Sequence, residues 1–244
     1  MNLYKILSIF LSHLILSRII IFIDKIKNNN WKLSSLSIMT SKANENIMNV
    51  DLHLVRHGET IANAQNVLQG HCDYPLTEKG INEGNCVGIA LSNMDWDKVY
   101  CSDLGRASHT CKLLLTQSKT NVNPIVEENK ITRELCFGVR EALSKETSIE
   151  EAKIIVAKKL GISPGDVIDT AETFEQLKAR QKSLLTKIIE DLSSFNDRND
   201  TINILVVSHG GYIKYFLKTF LSITGNHYLQ NILLFYNDNN INNI

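Results

Sequence analysis

The fold is decided by residues 50–58, an apolar run that ends in a basic pair and a glycine: Val50-Asp51-Leu52-His53-Leu54-Val55-Arg56-His57-Gly58. An apolar run of this length, stopped by a glycine, predicts a β-strand over 50–55. A second run of the same kind covers 202–207 and stops at Ser208-His209-Gly210-Gly211. Two buried strands, each followed by a histidine and a glycine, are therefore expected.

Amphipathic segments alternate with these runs along the chain. Further strands are predicted at 97–101 and, weakly, at 124–126. Ser102-Asp103 is a favourable N-cap pair for the helix that follows the third strand. The helices are predicted at 77–91, 104–116, 148–160, 172–192 and 212–221. This alternation predicts an α/β protein, a three-layer α/β/α sandwich around a mostly parallel sheet.

Composition excludes several classes of protein. The 244 residues fit one α/β domain or two small ones, and 43% of them are apolar, enough for a packed core. The chain has 26 Lys and Arg against 26 Asp and Glu, which argues against a general nucleic-acid binder. The 5 cysteines are odd in number and contain no C-x-x-C, so free thiols are expected rather than disulfides or a zinc site.

The two ends differ from the body. Residues 1–49 are predicted to be a hydrophobic leader, with an apolar stretch at 6–23, followed by a polar linker. The stretch is long enough for a membrane anchor, but His13 and Arg18 lie inside it. An anchor, an organellar presequence and a leader upstream of a start at Met39 or Met48 all remain open. The domain is expected over 50–225, followed by an Asn-rich tail at 226–244, and whether that tail is truncated stays open.

Basic residues follow three of the predicted strands, namely Arg56-His57, Arg106 and His209. In a parallel sheet the carboxyl ends of the strands meet at one edge, where ligands bind. Helix N-termini at that edge add backbone N–H groups and partial positive charge. The sequence therefore predicts an anion pocket, with phosphate as the favoured anion.

A histidine in such a pocket can act as a nucleophile on phosphorus. Neutral His57 is the candidate, because Arg56 and Arg106 would cancel the repulsion from the phosphoryl oxygens. His209 would bind a further phosphoryl oxygen. This chemistry requires neither a metal nor another cofactor, and no residue cluster has metal-ligand spacing.

The leaving oxygen needs a proton, which a carboxylic acid can donate. Glu134 is the candidate for this role, and Glu59 is its competitor.

Each of these residues also has an ordinary structural interpretation. His209 alone is more often a capping or core histidine, Arg106 a solvated helix residue, and Glu134 a partner of Arg133. The thiols of Cys101 and Cys136 are expected to be inert packing groups. His53 and His71 are expected to be structural or surface residues. The convergence of the three basic segments at equivalent strand ends is what favours a functional site.

Several motifs follow one another in an order that resembles a known family. They are Leu54–Thr60, Leu76–Gly80, Ser102–Thr110, Arg133–Gly138 and Val206–Gly211. This set is similar to the histidine phosphatase superfamily, in its phosphoglycerate-mutase-like branch. The resemblance implies that His57 is phosphorylated and that Glu134 is the proton donor. It also implies a set of substrate-binding residues: Arg56, Thr60, Asn63, Gln69, Gly70, Arg106, His209 and Gly210.

Within the superfamily, the chain most resembles the TIGAR-type fructose-2,6-bisphosphatases, in Phe137-Gly138-Val139 and in Glu172–Lys178. Mutases of the branch usually have an Asn after the second His-Gly, where this chain has Gly211, so hydrolysis is favoured over mutase chemistry. The chain departs from the family at Val139–Ala142, where a shortened segment replaces the usual Glu-Gly, and at Ala171, where a Gly is expected.

The resemblance implies a metal-independent, cytoplasmic phosphatase that removes the 2-phosphate of fructose 2,6-bisphosphate. Its partner would be a small phosphorylated sugar and not a nucleic acid. Three alternatives stay open: a broad-specificity phosphatase, a protein phosphatase held at a membrane or in mitochondria through residues 6–23, and an inactive module that binds a phosphorylated ligand. The sequence leaves the oligomeric state open.

Overall fold

The structure, a computed structural model, describes residues 14–22, 48–120, 124–195 and 200–224. Its centre is a parallel sheet of five strands in the order β1-β2-β5-β3-β4. The strands are β1 Leu14–Phe22, β2 Met48–Arg56, β3 Lys98–Ser102, β4 Val126–Asn129 and β5 Ile202–Ser208. The predicted parallel sheet is confirmed.

Six α-helices connect the strands or follow them in the described part of the chain. They are α1 Ile61–Ala64, α2 Glu78–Ala90, α3 Gly105–Thr116, α4 Ile149–Leu160, α5 Phe174–Leu192 and α6 Gly210–Thr224. Single 3₁₀ turns lie at Gly138–Arg140, Pro164–Asp166 and Ser193–Phe195. The five predicted helices are found within about three residues of their expected ends. The four-residue α1 was not predicted, and β4 lies slightly later than expected.

The sheet is covered on both faces, as the three-layer prediction requires. Ile204 and Val206 of β5 pack in a cluster with α5 and α6, whereas Leu205 and Val207 pack in a second cluster with α2 and α3. Alternate residues of a strand point to opposite faces, so one strand supplies both cores.

The cap of α3 differs from the sequence prediction. Its N-cap is Leu104, which makes no side-chain cap, and neither Ser102 nor Asp103 fills that role. The carboxylate of Asp73 accepts the N–H groups of Gly105 and Arg106 instead. Asp73 lies over thirty residues earlier in the chain, so a distant loop satisfies this helix terminus.

Part of the apolar leader lies in the sheet. Strand β1, Leu14–Phe22, pairs in parallel with β2 from Met48 to Val55. Within the described ranges, no helix is long and apolar enough to cross a membrane. The suggested membrane contact through residues 6–23 stays a prediction, and the tail at 226–244 lies outside the described residues.

A loop at 66–69 is joined by backbone hydrogen bonds to residues 142–145. Leu68 donates its N–H to the carbonyl of Leu143 at 2.8 Å, and Ala142 donates to the carbonyl of Leu68 at 2.8 Å. Ala142 has a φ of 64°, in the left-handed region that favours glycine. It directly follows Glu141, in the segment where the family pattern has Glu-Gly.

Replacing Ala142 with glycine should stabilise the protein. Left-handed backbone costs an L-residue about 1–2 kcal/mol, and part of that gain is offset by the greater freedom of glycine in the unfolded chain. We expect Ala142→Gly to raise the free energy of unfolding by up to about 1 kcal/mol, measured by urea denaturation.

The matched control is Ala179→Gly. Ala179 is also exposed but lies inside α5, where glycine should cost about 1 kcal/mol. Equal destabilisation by the two variants would contradict the interpretation of Ala142.

Candidate active site

His57 lies directly after β2, at the carboxyl edge of the sheet. Its backbone N–H bonds the carbonyl of Ser208 on β5 at 3.0 Å, and its ring Nδ1 lies 2.8 Å from the carbonyl of Gly58. A carbonyl can only accept, so Nδ1 carries the proton and Nε2 presents a lone pair. Gly58 is required here, because a Cβ would lie 2.2 Å from the carbonyl oxygen of Gly80.

His209 directly follows β5, the strand that neighbours β2. The two imidazole rings lie 5.1 Å apart between centroids, at 59° to each other. Both are buried, with exposed fractions of 6% for His57 and 0% for His209. The adjacent parallel strands therefore bring together two histidines that are 152 positions apart in the sequence.

Both imidazoles are held neutral. Burial, followed by the charges of Arg56 and Arg106, lowers the pKa of His57 well below its usual value. Burial, followed by His57 and the surrounding arginines, lowers the pKa of His209 in the same way. A neutral His57 keeps the lone pair that a nucleophile needs.

Arg106 is a buried cation and not a solvated helix residue. It is 2% exposed, and its guanidinium donates to the carbonyls of Cys72 (2.9 Å) and Gly70 (2.7 Å) and to Asp73 (3.2 Å). The loop from Gly70 to Asp73 thus curls around the guanidinium. The carbonyl of Gly70, a predicted substrate-binding residue, faces Arg106.

Arg56 ends β2 beside the start of α6. A Cβ at Gly210 would lie 3.3 Å from Nε of Arg56, so these two predicted substrate-binding residues are neighbours. The structure therefore places both arginines at the sheet edge that carries His57 and His209.

Thr60, Asn63 and Gln69 form one polar network. Thr60 caps α1, where its Oγ1 accepts the N–H of Asn63 and its own N–H donates to Oδ1 of Asn63. The hydroxyl of Thr60 also lies 2.9 Å from Oε1 of Gln69. These three predicted substrate-binding residues are brought together three to twelve positions after His57. Their role as phosphate contacts stays a prediction.

Glu134 lies at the N-terminus of α6. Its Oε2 accepts the N–H of Gly211 at 3.0 Å, and its Oε1 accepts the N–H of Tyr212 at 2.8 Å and of Leu135 at 3.0 Å. Since α6 begins directly after His209, this contact places the carboxylate at the helix start that follows the second imidazole. Glu134 is not the partner of Arg133, which forms a two-pronged ion pair with Asp103 at 2.6 Å.

Glu59 occupies a different environment. Its carboxylate pairs with Lys79 and accepts from Thr77 at 3.0 Å. The hydrogen bond from Lys79 is the largest cause that lowers the pKa of Glu59 below its usual value. A carboxyl group that is favoured in its charged form is a poor proton donor, which counts against Glu59.

Arg180, which the sequence analysis missed, holds the segment that carries Glu134. Its guanidinium donates to the carbonyls of Ile131 (2.8 Å), Arg133 (2.6 Å) and Glu134 (3.0 Å) and pairs with Glu172 at 2.6 Å. Its sequence signal was weak, because Arg180 flanks the buried face of α5 and does not interrupt it.

Two further residues, Glu141 and His71, hold the loops of the site region. The carboxylate of Glu141 accepts the N–H groups of His71 (2.9 Å), Cys72 (3.2 Å) and Phe137 (2.9 Å). It thereby ties the loop around Arg106 to the segment after Glu134. His71, expected at the surface or in a structural position, contacts the carbonyl of Glu134 through Nε2 at 3.0 Å.

The remaining polar candidates are structural. His53 is buried with its ring edge against Trp96, with centroids 4.8 Å apart. Burial raises the pKa of Cys136, and the hydrogen bond with Cys111 together with burial raises that of Cys101, so both stay protonated thiols. Among the described residues, no three His, Cys, Asp or Glu side chains are arranged to hold a metal ion.

Known proteins resemble this chain over most of its length. The α-ribazole/adenosylcobalamin phosphatase of Salmonella typhimurium is 31% identical over 172 residues, which are 70% of this chain and 80% of that protein. The fructose-2,6-bisphosphatase TIGAR of Bos taurus is 28% identical over 210 residues, covering 70% and 76% of the two chains. The crystal structure of a phosphoglycerate mutase from Bacillus anthracis matches with a TM-score of 0.52 and 30% identity, over 70% of this chain and 78% of that one.

A family model that matches most of the chain identifies the family. A model of the histidine phosphatase superfamily (branch 1) matches residues 52–237, which include both histidines, both arginines and Glu134. The resemblance found in the motifs is confirmed, and the chain belongs to the histidine phosphatase superfamily.

Proposed function

We propose that this protein hydrolyses phosphate monoesters through a phosphohistidine on His57. The observation that carries the proposal is the state of the His57 ring. Its Nδ1–H is bound to the carbonyl of Gly58, its Nε2 lone pair is available, and it lies beside Arg56, Arg106 and a second neutral imidazole. This combination is what attack on a phosphoryl group requires.

In the first step, Nε2 of His57 attacks phosphorus and the bond from phosphorus to the ester oxygen breaks. Arg56 and Arg106 bind the phosphoryl oxygens and stabilise the charge that they carry in the transition state. Arg106 is already oriented by the carbonyls of Gly70 and Cys72 and by Asp73, so little reorganisation is needed.

Glu134 enters this step as the neutral acid and gives its proton to the leaving oxygen, which departs as an alcohol. The resulting carboxylate then takes a proton from a water molecule, which attacks the phosphohistidine; inorganic phosphate is released, and His57 and the neutral acid are restored. Support for this role comes from its place at the start of α6, directly after His209.

For the substrate, we infer a small phosphorylated metabolite, with fructose 2,6-bisphosphate as the first candidate. It is supported by the motif at 137–139, by Glu172–Lys178 and by the similarity to TIGAR proteins. A cytoplasmic location belongs to the same proposal, and contact of residues 6–23 with a membrane is the alternative.

A second candidate is an α-ribazole phosphate. It is supported by the relative from Salmonella typhimurium, 80% of which is covered.

The proposed activity is tested by phosphate release from the full chain. Fructose 2,6-bisphosphate, α-ribazole phosphate, phosphoglycerates and a phosphopeptide form the panel. We expect turnover of a small ester and radiolabel from that ester on a histidine that is stable to base and labile to acid. His57→Ala should abolish both, because it removes the attacking nitrogen.

His109→Ala is the matched control, because His109 is exposed on α3. Preference for the phosphopeptide would support a protein phosphatase instead. A folded protein that binds these esters without releasing phosphate would contradict the enzymatic proposal.

The proton donor is tested by the leaving group. Glu134→Gln should slow hydrolysis of an alkyl phosphate by about 10²–10⁴, because an alkoxide cannot leave unprotonated. Nitrophenyl phosphate, whose leaving group needs no proton, should lose far less. Steady-state kcat on the two esters gives the comparison.

Glu59→Gln is the control carboxylate variant and should retain the wild-type ratio between the two esters. If Glu134→Gln slowed both esters equally, Glu134 would not be the proton donor.

Metal independence is a separate expectation. Since Arg56 and Arg106 supply the positive charge and His209 a hydrogen bond, dialysis against EDTA should leave kcat unchanged. Loss of activity that added Mg²⁺ or Zn²⁺ restores would rule out the metal-free mechanism.

A further inference from the structure

Ser102 ends β3, beside the second imidazole. Its side chain is completely buried, and its Oγ lies 2.8 Å from Nε2 of His209. The sequence suggested a helix cap for this residue, but α3 is capped by Asp73. The serine hydroxyl therefore contacts His209 and caps no N–H group within α3.

We propose that Ser102 is a positioning residue that fixes the tautomer of His209, so that Nδ1 presents an N–H to the phosphoryl group. This inference rests on the proposed function, because it describes how the same site binds its anion. It assigns Ser102 no contact with the substrate.

The direction of the hydrogen bond follows from the groups around Oγ. The N–H of Leu104 donates to Oγ at 3.4 Å, a long bond that uses one of its lone pairs. The hydroxyl proton then needs an acceptor, and Nε2 of His209 is the acceptor within reach among the described residues. Ser102 therefore donates and Nε2 accepts.

The protonation state of His209 completes the assignment. Burial and the surrounding positive groups lower its pKa well below the usual value, so the ring is neutral and carries a single proton. Because Nε2 accepts from Ser102, that proton is on Nδ1.

Nδ1 itself faces no acceptor among the described residues. It is buried, and no hydrogen-bond partner lies near it in the described part of the chain. A buried N–H without an acceptor is unfavourable. The ring lies 5.1 Å from that of His57, so a phosphoryl oxygen on or near His57 is the acceptor that fits. The opposite tautomer would turn a lone pair toward the same anion.

The two histidines then have the same tautomer for different purposes. In His57 the Gly58 carbonyl accepts from Nδ1 and leaves Nε2 free to attack. In His209 the Ser102 hydroxyl donates to Nε2 and leaves Nδ1–H free to bind an oxygen. The backbone acceptor thus makes His57 a nucleophile. The side-chain donor makes His209 a hydrogen-bond donor to the anion.

The test is nitrogen-15 NMR on the unliganded full-length protein with labelled histidine rings. The His209 signals are assigned as those that disappear from the spectrum of His209→Asn. The wild-type protein should show protonated Nδ1 and unprotonated Nε2 at His209. In Ser102→Ala the proton should move partly to Nε2. The His57 signals should not change, because the Gly58 carbonyl still holds that ring.

Activity gives the second readout. Ser102→Ala should lower kcat by about tenfold, less than the loss of a whole oxyanion donor because part of the ring population keeps the active tautomer. The loss should be equal for alkyl and nitrophenyl esters, unlike that of Glu134→Gln. Ser102→Thr, which keeps the hydroxyl, should restore the tautomer. Ser108→Ala, at a buried serine that bonds Glu128, is the matched control and should leave kcat unchanged.

A wild-type His209 with its proton on Nε2 would overturn the proposal, whether or not the variants fold. So would a Ser102→Ala protein in which neither the tautomer nor kcat changes. Failure of the proposed function is distinguishable from failure of this inference. The first would appear as no phosphate release by the wild-type protein, whereas the tautomer of His209 is measured by NMR without any substrate.

Discussion

The pairing of β2 with β5 is the constraint on which the site depends. These strands run in parallel from Val50 with Ile202 to Arg56 with Ser208, and the next residue of each strand is a histidine. The bond from the N–H of His57 to the carbonyl of Ser208 continues that pairing past the strands. Because both strands are buried on both faces, a shift of register would misplace two hydrophobic cores as well as the two imidazoles.

Burying Arg106 imposes the second constraint. A guanidinium removed from water is unfavourable unless its donors are satisfied. The carbonyls of Gly70 and Cys72 and the carboxylate of Asp73 accept from Nη1 and Nη2, so the conformation of that loop is coupled to the position of the cation. Glu141 in turn holds the N–H groups of the same loop. The anion site is thus stabilised by contacts between loops rather than by the sheet alone.

The sequence predicts the sheet, five helices and the meeting of Arg56, His57, Arg106 and His209, because parallel strands carry their ends to one edge. It does not predict the residues that hold them. Ser102 and His209 are 107 positions apart, and Arg180 and Glu134 are 46 apart, so no local pattern links the partners. The leader was ambiguous for another reason. An isoleucine-rich run fits a strand as well as a membrane segment, and pairing with β2 is a tertiary effect.

The start of α6 connects the proposed proton donor to the anion site. A Cβ at Gly211 would lie 2.7 Å from Oε1 of Glu134, so a larger residue there would displace the carboxylate from the helix N-terminus. Mutases of the branch usually have Asn at this point, whereas this chain leaves the space to its glutamate. His209 directly precedes the helix, and Glu134 is bound to its first turn. One helix therefore sets the distance between the group that would bind the phosphoryl oxygen and the group that would protonate the leaving oxygen.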